Sequence, residues 1–307
     1  MLLRILLAAS LATFTSAPAP VPSAPAPATS APAPGASAPA PVTSAPAPLA
    51  STSAPAASTP APGQDREADL TKLFEAQGIT LDRAGGTVSI PMDVCVRDAL
   101  LEYLLVGPNG AAHESLFTTP VAPSLFNTAL ILLGAEPGKN ASWRPKEPRP
   151  SDEELMNGVS PWVVEPPTGS SFYMYVGWRQ GGETYFFRME DLLRDLSRGH
   201  GMTRHAWVYL GSRMVRGADR DDPDEQAFAA DLYGNVINVS FFSEGYTVLT
   251  AALPECVEQT IWMPNAWLIP ERGERVRLIV SKQRIETVSP DLAKTLPEVA
   301  PPKPLSR

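Results

Sequence analysis

Residues 100–118 have the sequence LLEYLLVGPNGAAHESLFT, in which two apolar runs flank the turn Gly107-Pro108-Asn109-Gly110. The pattern predicts an antiparallel hairpin, because Gly, Pro and Asn mark turns and the flanking Leu, Val and Phe residues favour strands. Pro108 fixes φ at about −65° and cannot take the first position of a type I′ turn, so a three-residue loop is expected. The hairpin would then close at Gly107 opposite Ala111.

This register predicts which polar side chains share a face. It sets Leu104 opposite Glu114, because the pairing runs outward from the turn. Since side chains alternate along a strand, Glu102 and Glu114 would share one face. His113 and Ser115 would share the other. A slip of one residue would instead group Glu102, His113 and Ser115 on one face.

Either grouping suggests chemistry at this hairpin. Two neighbouring carboxylates, Glu102 and Glu114, would raise the pKa of one of them or hold a cation. A Glu, His and Ser set would resemble the components of nucleophilic catalysis. The plainer alternative is a solvated charged face with His113 half-buried and hydrogen-bonded, which is ordinary for an antiparallel hairpin. Ser212, after Gly211, is a further candidate nucleophile, although a turn after a strand also favours Gly and Ser.

The remainder of the sequence after residue 65 continues the pattern of strands and turns. Hairpins are predicted at residues 79–90 and 172–188, and a last strand at residues 276–280. Helices are predicted at residues 65–77, 123–133 and 189–197. Because strands dominate and the helices are few and short, the sequence predicts a single α+β domain with a mainly antiparallel sheet.

The first 64 residues have a different composition. Residues 1–17 combine a basic start, a short apolar run and a small-residue exit, which is typical of a cleavable secretory signal. The apolar run is too short to span a membrane, so no span is expected after cleavage. An uncleaved anchor is the alternative, because Pro18 directly after Ala17 is a poor neighbour for cleavage.

Residues 18–64 repeat Ser-Ala-Pro-Ala-Pro and hold 14 of the 34 prolines. Such a segment cannot bury a core and favours extended polyproline II geometry, so it predicts a disordered tether that acts as a spacer or a glycosylated stalk. The sequence therefore predicts a globular domain at residues 65–288. A proline-rich disordered tail follows at residues 289–307.

The charge distribution limits the classes of partner. All 33 acidic residues and all but one of the 25 basic residues lie after residue 64. A net acidic domain repels nucleic acid and anionic lipid, so neither is expected as a partner. We expect a periplasmic or extracellular protein, with a component of the cell envelope as the candidate partner.

The chain has two cysteines, Cys95 and Cys256. An exported chain meets an oxidising compartment in which thiols tend to pair, so a disulfide between them is one expectation. Two buried thiols that pack as small hydrophobic side chains are the other.

Several segments resemble the YdjY-domain family, whose members are largely uncharacterised exported bacterial proteins. The resemblance runs from residue 79 to residue 280 and rests on Val94-Cys95, residues 101–106, 113–116 and 129–135, Glu190-Asp191, residues 207–213 and Ala230-Asp231. Some members carry a ferredoxin-like label. An iron–sulfur cluster needs four Cys thiolates, and this chain has only two, so no cluster and no other cofactor is predicted.

The sequence contains no Gly-x-Ser-x-Gly elbow, no His-Glu-x-x-His pair and no phosphate-binding loop. We therefore expect a non-enzymatic extracytoplasmic binding or scaffold module, and no metal site. The alternative is a hydrolase or metal-dependent enzyme that uses Glu102, His113, Glu114 and Ser115. The six Trp residues would support carbohydrate or peptide binding where they are exposed, and a core role where they are buried.

Overall fold

Short strands make up most of the domain. The computed structural model of the chain describes residues 62–217 and 224–301. Its strands are β1 (Thr80–Asp82), β2 (Thr87–Val94), β3 (Tyr103–Val106), β4 (Ser115–Thr118), β5 (Ser142–Pro145), β6 (Trp162–Glu165), β7 (Ser171–Gln180), β8 (Glu183–Arg188), β9 (Leu193–Asp195), β10 (His200–Gly201), β11 (Trp207–Tyr209), β12 (Met214–Arg216), β13 (Gln226–Phe228), β14 (Asn235–Asn238), β15 (Leu249–Thr250), β16 (Trp262–Pro264) and β17 (Arg275–Ser281).

The helices are few and mostly short. The α-helices are α1 (Pro62–Ala76), α2 (Pro123–Leu132), α3 (Asp152–Met156), α4 (Ala229–Tyr233) and α5 (Pro290–Thr295). Single 3₁₀ turns lie at Ala112–Glu114, Met189–Leu192, Pro254–Val257 and Ala266–Leu268. The predicted signal peptide at residues 1–17 and nearly all of the predicted tether at residues 18–64 lie outside the described residues. None of the helices in the described ranges has the length and apolar character that a membrane crossing requires.

Eight strands close into a barrel. They pair in the order β2, β17, β7, β11, β15, β14, β3 and β4, and β4 pairs again with β2. The closing pair sets Asp93 opposite Thr118 and Val94 opposite Phe117. Six of the eight pairs are antiparallel, whereas β14–β15 and β3–β4 are parallel. Closure removes the unpaired edges that an open sheet would present.

The predicted α+β class with a mainly antiparallel sheet is therefore wrong. The described residues form a mostly-β mixed barrel, and the helices are minor additions to it. Turn residues indicate which neighbouring strands pair, and the hairpins at residues 79–90 and 172–188 are indeed present. Closure depends on pairs such as β17 with β2, whose residues are too far apart in sequence for any local pattern to indicate.

The predicted hairpin within residues 100–118 is also wrong. Its turn forms, because Gly110 N donates to Gly107 O over 3.0 Å, but β3 and β4 run parallel, with Tyr103 opposite Ser115. The antiparallel neighbour of β3 is β14. The turn packs against Gly234, where a Cβ would collide with the Gly110 backbone, so the approach requires glycine. The 3₁₀ turn Ala112–Glu114 then leads the chain back beside the start of β3.

The predicted helix at residues 189–197 is replaced by a 3₁₀ turn and a strand. The helical turn ends at Leu192, and β9 follows because it pairs with β16. The helix predicted at residues 123–133 is confirmed by α2. Its end is set by Gly134, whose φ of 82° lies in the left-handed region that favours glycine.

Alternate residues of the strands fill the barrel. Val276, Leu278 and Val280 of β17 are fully buried in the main core. Ile279, which points the other way, belongs to a separate buried cluster with Tyr175 and Leu296. The outer face of β17 is therefore apolar, and side chains outside the main core cover it.

That cover comes from residues 289–301, part of the tail predicted to be disordered at residues 289–307; residues 302–307 lie outside the described range. Ser289 caps α5 by accepting a hydrogen bond from Leu292 N over 3.2 Å. The segment after α5 then pairs beside β7, where Arg179 N donates to Pro297 O and Val299 N donates to Arg179 O, both over 2.8 Å. The described part of the tail packs because burying Leu296 offsets the entropy of ordering it.

A buried charge cluster joins the end of β8 to the start of β11. The Glu190 carboxylate, which is fully buried, accepts two hydrogen bonds from Arg188 over 2.6 and 3.0 Å. It also accepts from Trp207 Nε1 over 3.1 Å and from His205 N over 3.3 Å. The Arg188 guanidinium lies over the Tyr173 ring at 5.2 Å. We call Arg188, Glu190, His205 and Trp207 the Glu190 cluster; its charges are paired within the fold.

Candidate ligand-binding cleft

A cleft of about 580 Å³ lies beside the pairing of β3 with β14. Tyr103 of β3 pairs with Asn238 of β14, and the loop after β14 contributes further side chains. The barrel fixes Tyr103 and Asn238, because they lie on paired strands, while most of the other residues that line the cleft lie in turns, a loop and α4. We call it the aromatic–acidic cleft; its lining includes Tyr103, His113, Asn238, Phe242, Glu244 and Tyr246.

Two stacked aromatic pairs border the cleft. The Tyr103 and Phe242 rings are nearly parallel, with centroids 5.3 Å apart. Tyr233 and Tyr246 stack at 4.6 Å. Aromatic faces carry partial negative charge, so such walls attract cations and pack against flat apolar groups.

Three carboxylates surround Tyr103. Glu102 N donates to Glu114 O over 3.0 Å, which brings these two residues together, and Glu244 lines the cleft. Burial raises the pKa of Glu102, and the neighbouring Glu114 carboxylate raises it further. Burial and all three carboxylates raise the pKa of Tyr103 to about 12. Both shifts arise first from burial, and the neighbouring negative charge adds to them.

No Lys or Arg forms an ion pair with these three carboxylates within residues 62–217 and 224–301. Glu114 has His113 Nε2 at 3.7 Å, and the His113 side chain is 78% exposed. Asn238 adds another acceptor, since it is 97% buried and its Oδ1 has no hydrogen-bond donor among the described residues. The cleft therefore offers hydrogen-bond acceptors and negative charge to whatever enters it.

The predicted site residues separate into two groups. His113 lines the cleft, and Glu102 and Glu114 lie close enough to Tyr103 of its lining to raise the pKa of that residue. Ser115 is fully buried, and its Oγ donates to Phe117 O over 2.7 Å. A hydroxyl that is committed to its own strand is not available as a nucleophile, so the four residues do not form the predicted catalytic set.

Ser212 has a structural role beside the cleft. It is the non-glycine residue with a positive φ, 55°, in the described ranges. Its Oγ donates to Tyr246 O over 2.8 Å and accepts from Ala230 N over 3.1 Å. These bonds tie the loop that carries Tyr246 to the start of α4, and they occupy the hydroxyl.

Both cysteines are free thiols in the structure. Cys95 Sγ donates to Ala112 O over 3.1 Å, and burial raises its pKa. Cys256 is fully buried in the main core, where burial raises its pKa strongly. Cys95 is half-buried and Cys256 is buried; the choice between the disulfide and two buried thiols stays a prediction.

Sequence reasoning missed the aromatic half of the cleft. Asn238, Phe242 and Tyr246 come from β14 and the loop after it, more than a hundred residues beyond Tyr103. The described residues contain no group of three or more His, Cys, Asp or Glu side chains that could hold a metal ion.

The YdjY domain family model matches residues 79–281, which is more than half of the chain. The match begins just before β1 and ends with β17, so it covers the barrel and the aromatic–acidic cleft. No curated protein and no solved structure matches the chain. The chain therefore belongs to the YdjY-domain family.

Proposed function

We propose that this protein is a non-enzymatic binding module whose aromatic–acidic cleft takes an organic cation that carries amino groups. One observation carries the proposal: Asn238 Oδ1, a buried acceptor without a donor among the described residues, and the carboxylate of Glu244 line a cleft that two stacked aromatic pairs border. The amide oxygen of Asn238 lacks an N–H donor, and Glu244 in the lining, with Glu102 and Glu114 beside Tyr103, adds negative charge. An ammonium group supplies several such donors and a compensating charge.

The size and walls of the cleft support the same ligand class. Clefts of several hundred Å³ accommodate small molecules. A cation over an aromatic face gains about 0.5–2 kcal/mol, and more when it is desolvated. Tyr103 and Phe242 supply such faces, and the carboxylates around them are not neutralised by Lys or Arg among the described residues. A neutral ligand of the same shape would lack the charge attraction.

The alternative of a hydrolase or metal-dependent enzyme has less support. Ser115 is buried and bonded within its own strand, and the hydroxyl of Ser212 is used twice. The binding proposal uses Glu102, His113 and Glu114 without requiring a nucleophile.

We also propose that the domain acts outside the cytoplasm on the Pro/Ala-rich tether. The signal-like composition of residues 1–17 and the repeats of residues 18–64 support this. Cell fractionation and N-terminal sequencing test it: the mature chain should lack residues 1–14. Intact Met1 in a soluble cytoplasmic pool would contradict export.

Calorimetric titration of the full chain with 1,4-diaminobutane tests the binding proposal, with 1,4-butanediol as the uncharged isostere. We expect the diamine to bind at one site and the diol to show no saturable heat. Glu244→Gln should weaken the diamine about fivefold or more, since it removes one charge from the cleft. Glu153→Gln, which makes the same charge change on the exposed α3 helix, is the control and should bind normally.

Equal binding of diamine and diol would refute the charge argument. Equal effects of the two substitutions would show that the diamine responds only to net charge and not to the cleft.

A further inference from the structure

A second depression, of about 480 Å³, lies between the β7–β8 hairpin and residues 266–271. We call it the tryptophan groove; its lining includes Arg97, Trp178, Gln180, Tyr185, Trp267 and Ala300. Trp267, on the 3₁₀ turn Ala266–Leu268, is 93% exposed. An indole left this open to water on an ordered turn is unusual for a residue that normally packs in a core.

Flat aromatic surface continues into the groove from Trp267. Trp178 and Tyr185 stack with centroids 5.4 Å apart and an angle of 2° between their planes. The Phe187 ring centroid lies 5.6 Å from that of Trp178, with an angle of 38° between the planes. These rings form a rigid platform, because they belong to paired strands.

The buried polar atoms of the tryptophan groove that lack a partner among the described residues are donors. Trp178 is 97% buried, and its Nε1 has no acceptor among the described residues. Arg97 Nε is likewise without an acceptor there, while the other guanidinium nitrogens bond to Glu271 and to the carbonyls of Ala266 and Ile269. A buried donor without a partner costs free energy until an acceptor reaches it.

A proline-containing segment of the same chain already lies at one end of the groove. Residues 297–301 run beside β7, with Pro297 O accepting from Arg179 N over 2.8 Å. Ala300 lines the groove, and its carbonyl accepts from Gln180 Nε2 over 2.6 Å. The groove thus engages extended chain through its carbonyl oxygens.

We propose that the tryptophan groove binds an extended, Pro/Ala-rich peptide of a second molecule. Such a peptide is complementary to the aromatic platform, because proline rings pack flat on aromatic side chains. It is also complementary to the unpartnered donors, because every residue has a carbonyl acceptor whereas proline has no N–H donor. Its extended form also loses little conformational entropy on binding. The site is distinct from the aromatic–acidic cleft, because its unmet groups are donors rather than acceptors.

The test is a titration of the full chain with a synthetic peptide of five Ala-Pro repeats, followed by tryptophan fluorescence and calorimetry. A peptide of five Ala-Ser repeats is the matched probe without prolines. We expect the Ala-Pro peptide to saturate and the Ala-Ser peptide to bind at least tenfold more weakly. Trp267→Ala should raise the dissociation constant about tenfold, as removal of an interface tryptophan commonly does.

The control variant is Trp162→Ala, which removes another exposed indole, on β6, and should change the affinity less than twofold. Circular dichroism melts verify that both variants fold. The proposal is overturned if the Ala-Pro peptide does not bind, if Trp267→Ala and Trp162→Ala weaken it equally, or if a β-glucan oligosaccharide saturates the groove and the peptide does not. The last result would assign the aromatic platform to sugar rings.

Discussion

The Glu190 cluster and the aromatic–acidic cleft contain the same types of side chain, but they differ in whether their carboxylates have a cationic partner. Each sets carboxylate groups beside aromatic rings. In the Glu190 cluster one carboxylate accepts hydrogen bonds from Arg188, Trp207 and His205. In the cleft three carboxylates lie near one another without a Lys or Arg partner in the described part of the chain.

The two regions should therefore differ in what their charges contribute: folding stability in the Glu190 cluster and, on the proposed function, ligand binding in the cleft. Removing one half of a buried pair leaves the other half without solvation, so its cost appears in folding stability. Removing one of several like charges relieves repulsion, so its cost appears only in the binding of a cation. Substitutions in the two regions should therefore affect different measurements.

The largest expected effect is the loss of stability in Glu190→Gln. The substitution keeps the shape of the side chain but leaves the Arg188 guanidinium buried without a counter-charge, which costs about 3–5 kcal/mol. Urea denaturation should report this as a lower unfolding free energy. In the cleft, Glu244→Gln should remain within about 0.5 kcal/mol of the parent. Similar losses in both variants would abolish the distinction.

The next effect is a loss of stability in acid that depends on His205. Burial lowers the pKa of His205 below its ordinary value of 6.5. Below pH 6.5 the unfolded chain therefore binds a proton that the folded chain does not, and the unfolding free energy falls as the pH decreases, by at most on the order of 1 kcal/mol per pH unit. Denaturation between pH 7 and pH 5 should show a shallower slope for His205→Asn. An unchanged slope would mean that other groups cause the loss.

The cleft should respond to pH in the opposite direction. The pKa of Glu102 is raised above its ordinary 4.5, so the folded chain holds the proton longer than the unfolded one. Its contribution to stability is present below pH 4.5 and is lost as the pH rises through the raised value. Diamine affinity should increase over the same interval, because the cation requires the ionised carboxylate. Glu102→Gln should remove both trends, as paired calorimetric and denaturation series would show.

The smallest expected effect is a lower pKa of Glu102 in the variant Glu114→Gln. Loss of the neighbouring negative charge should lower the pKa of Glu102, but not to its ordinary value, because burial is the larger cause of the increase. Carbon-13 NMR of the side-chain carboxyl measures this directly. A return to the ordinary value would indicate that repulsion, rather than burial, dominates the cleft.

The sequence predicted the acidic half of the cleft for a partly mistaken reason. Glu102 and Glu114 were predicted to share one face of an antiparallel hairpin. They meet instead because β3 and β4 are parallel, and the pairing extends to the residue before each strand, which is Glu102 for β3 and Glu114 for β4. The turn at Gly107–Gly110 was predicted correctly, because the conformation of a turn depends on the residues within it. The direction of β4 depends on the packing of that turn against Gly234, which no local pattern contains.

The aromatic half was beyond sequence reasoning. Phe242 and Tyr246 reach Tyr103 only through the pairing of β14 with β3, and an aromatic residue in a loop has no periodic signal. The exposure of Trp267 was equally invisible, because a sequence does not distinguish a core indole from a surface one. The composition of residues 289–307 indicated disorder, but it could not show that Leu296 has an apolar strand face to cover.

The position of β17 in the barrel determines when the chain can fold during synthesis. This strand lies between β2 and β7, yet Arg275 and its partner Asp93 are 182 residues apart in sequence. At the usual rates of translation, β2 therefore waits roughly ten to forty seconds for its neighbour to leave the ribosome. During that time the barrel cannot close, and pairs of such long separation also form slowly. A chain that is released from the ribosome and ends before Arg275 should have a barrel region sensitive to protease, and a released chain that includes residue 301 should have a resistant one.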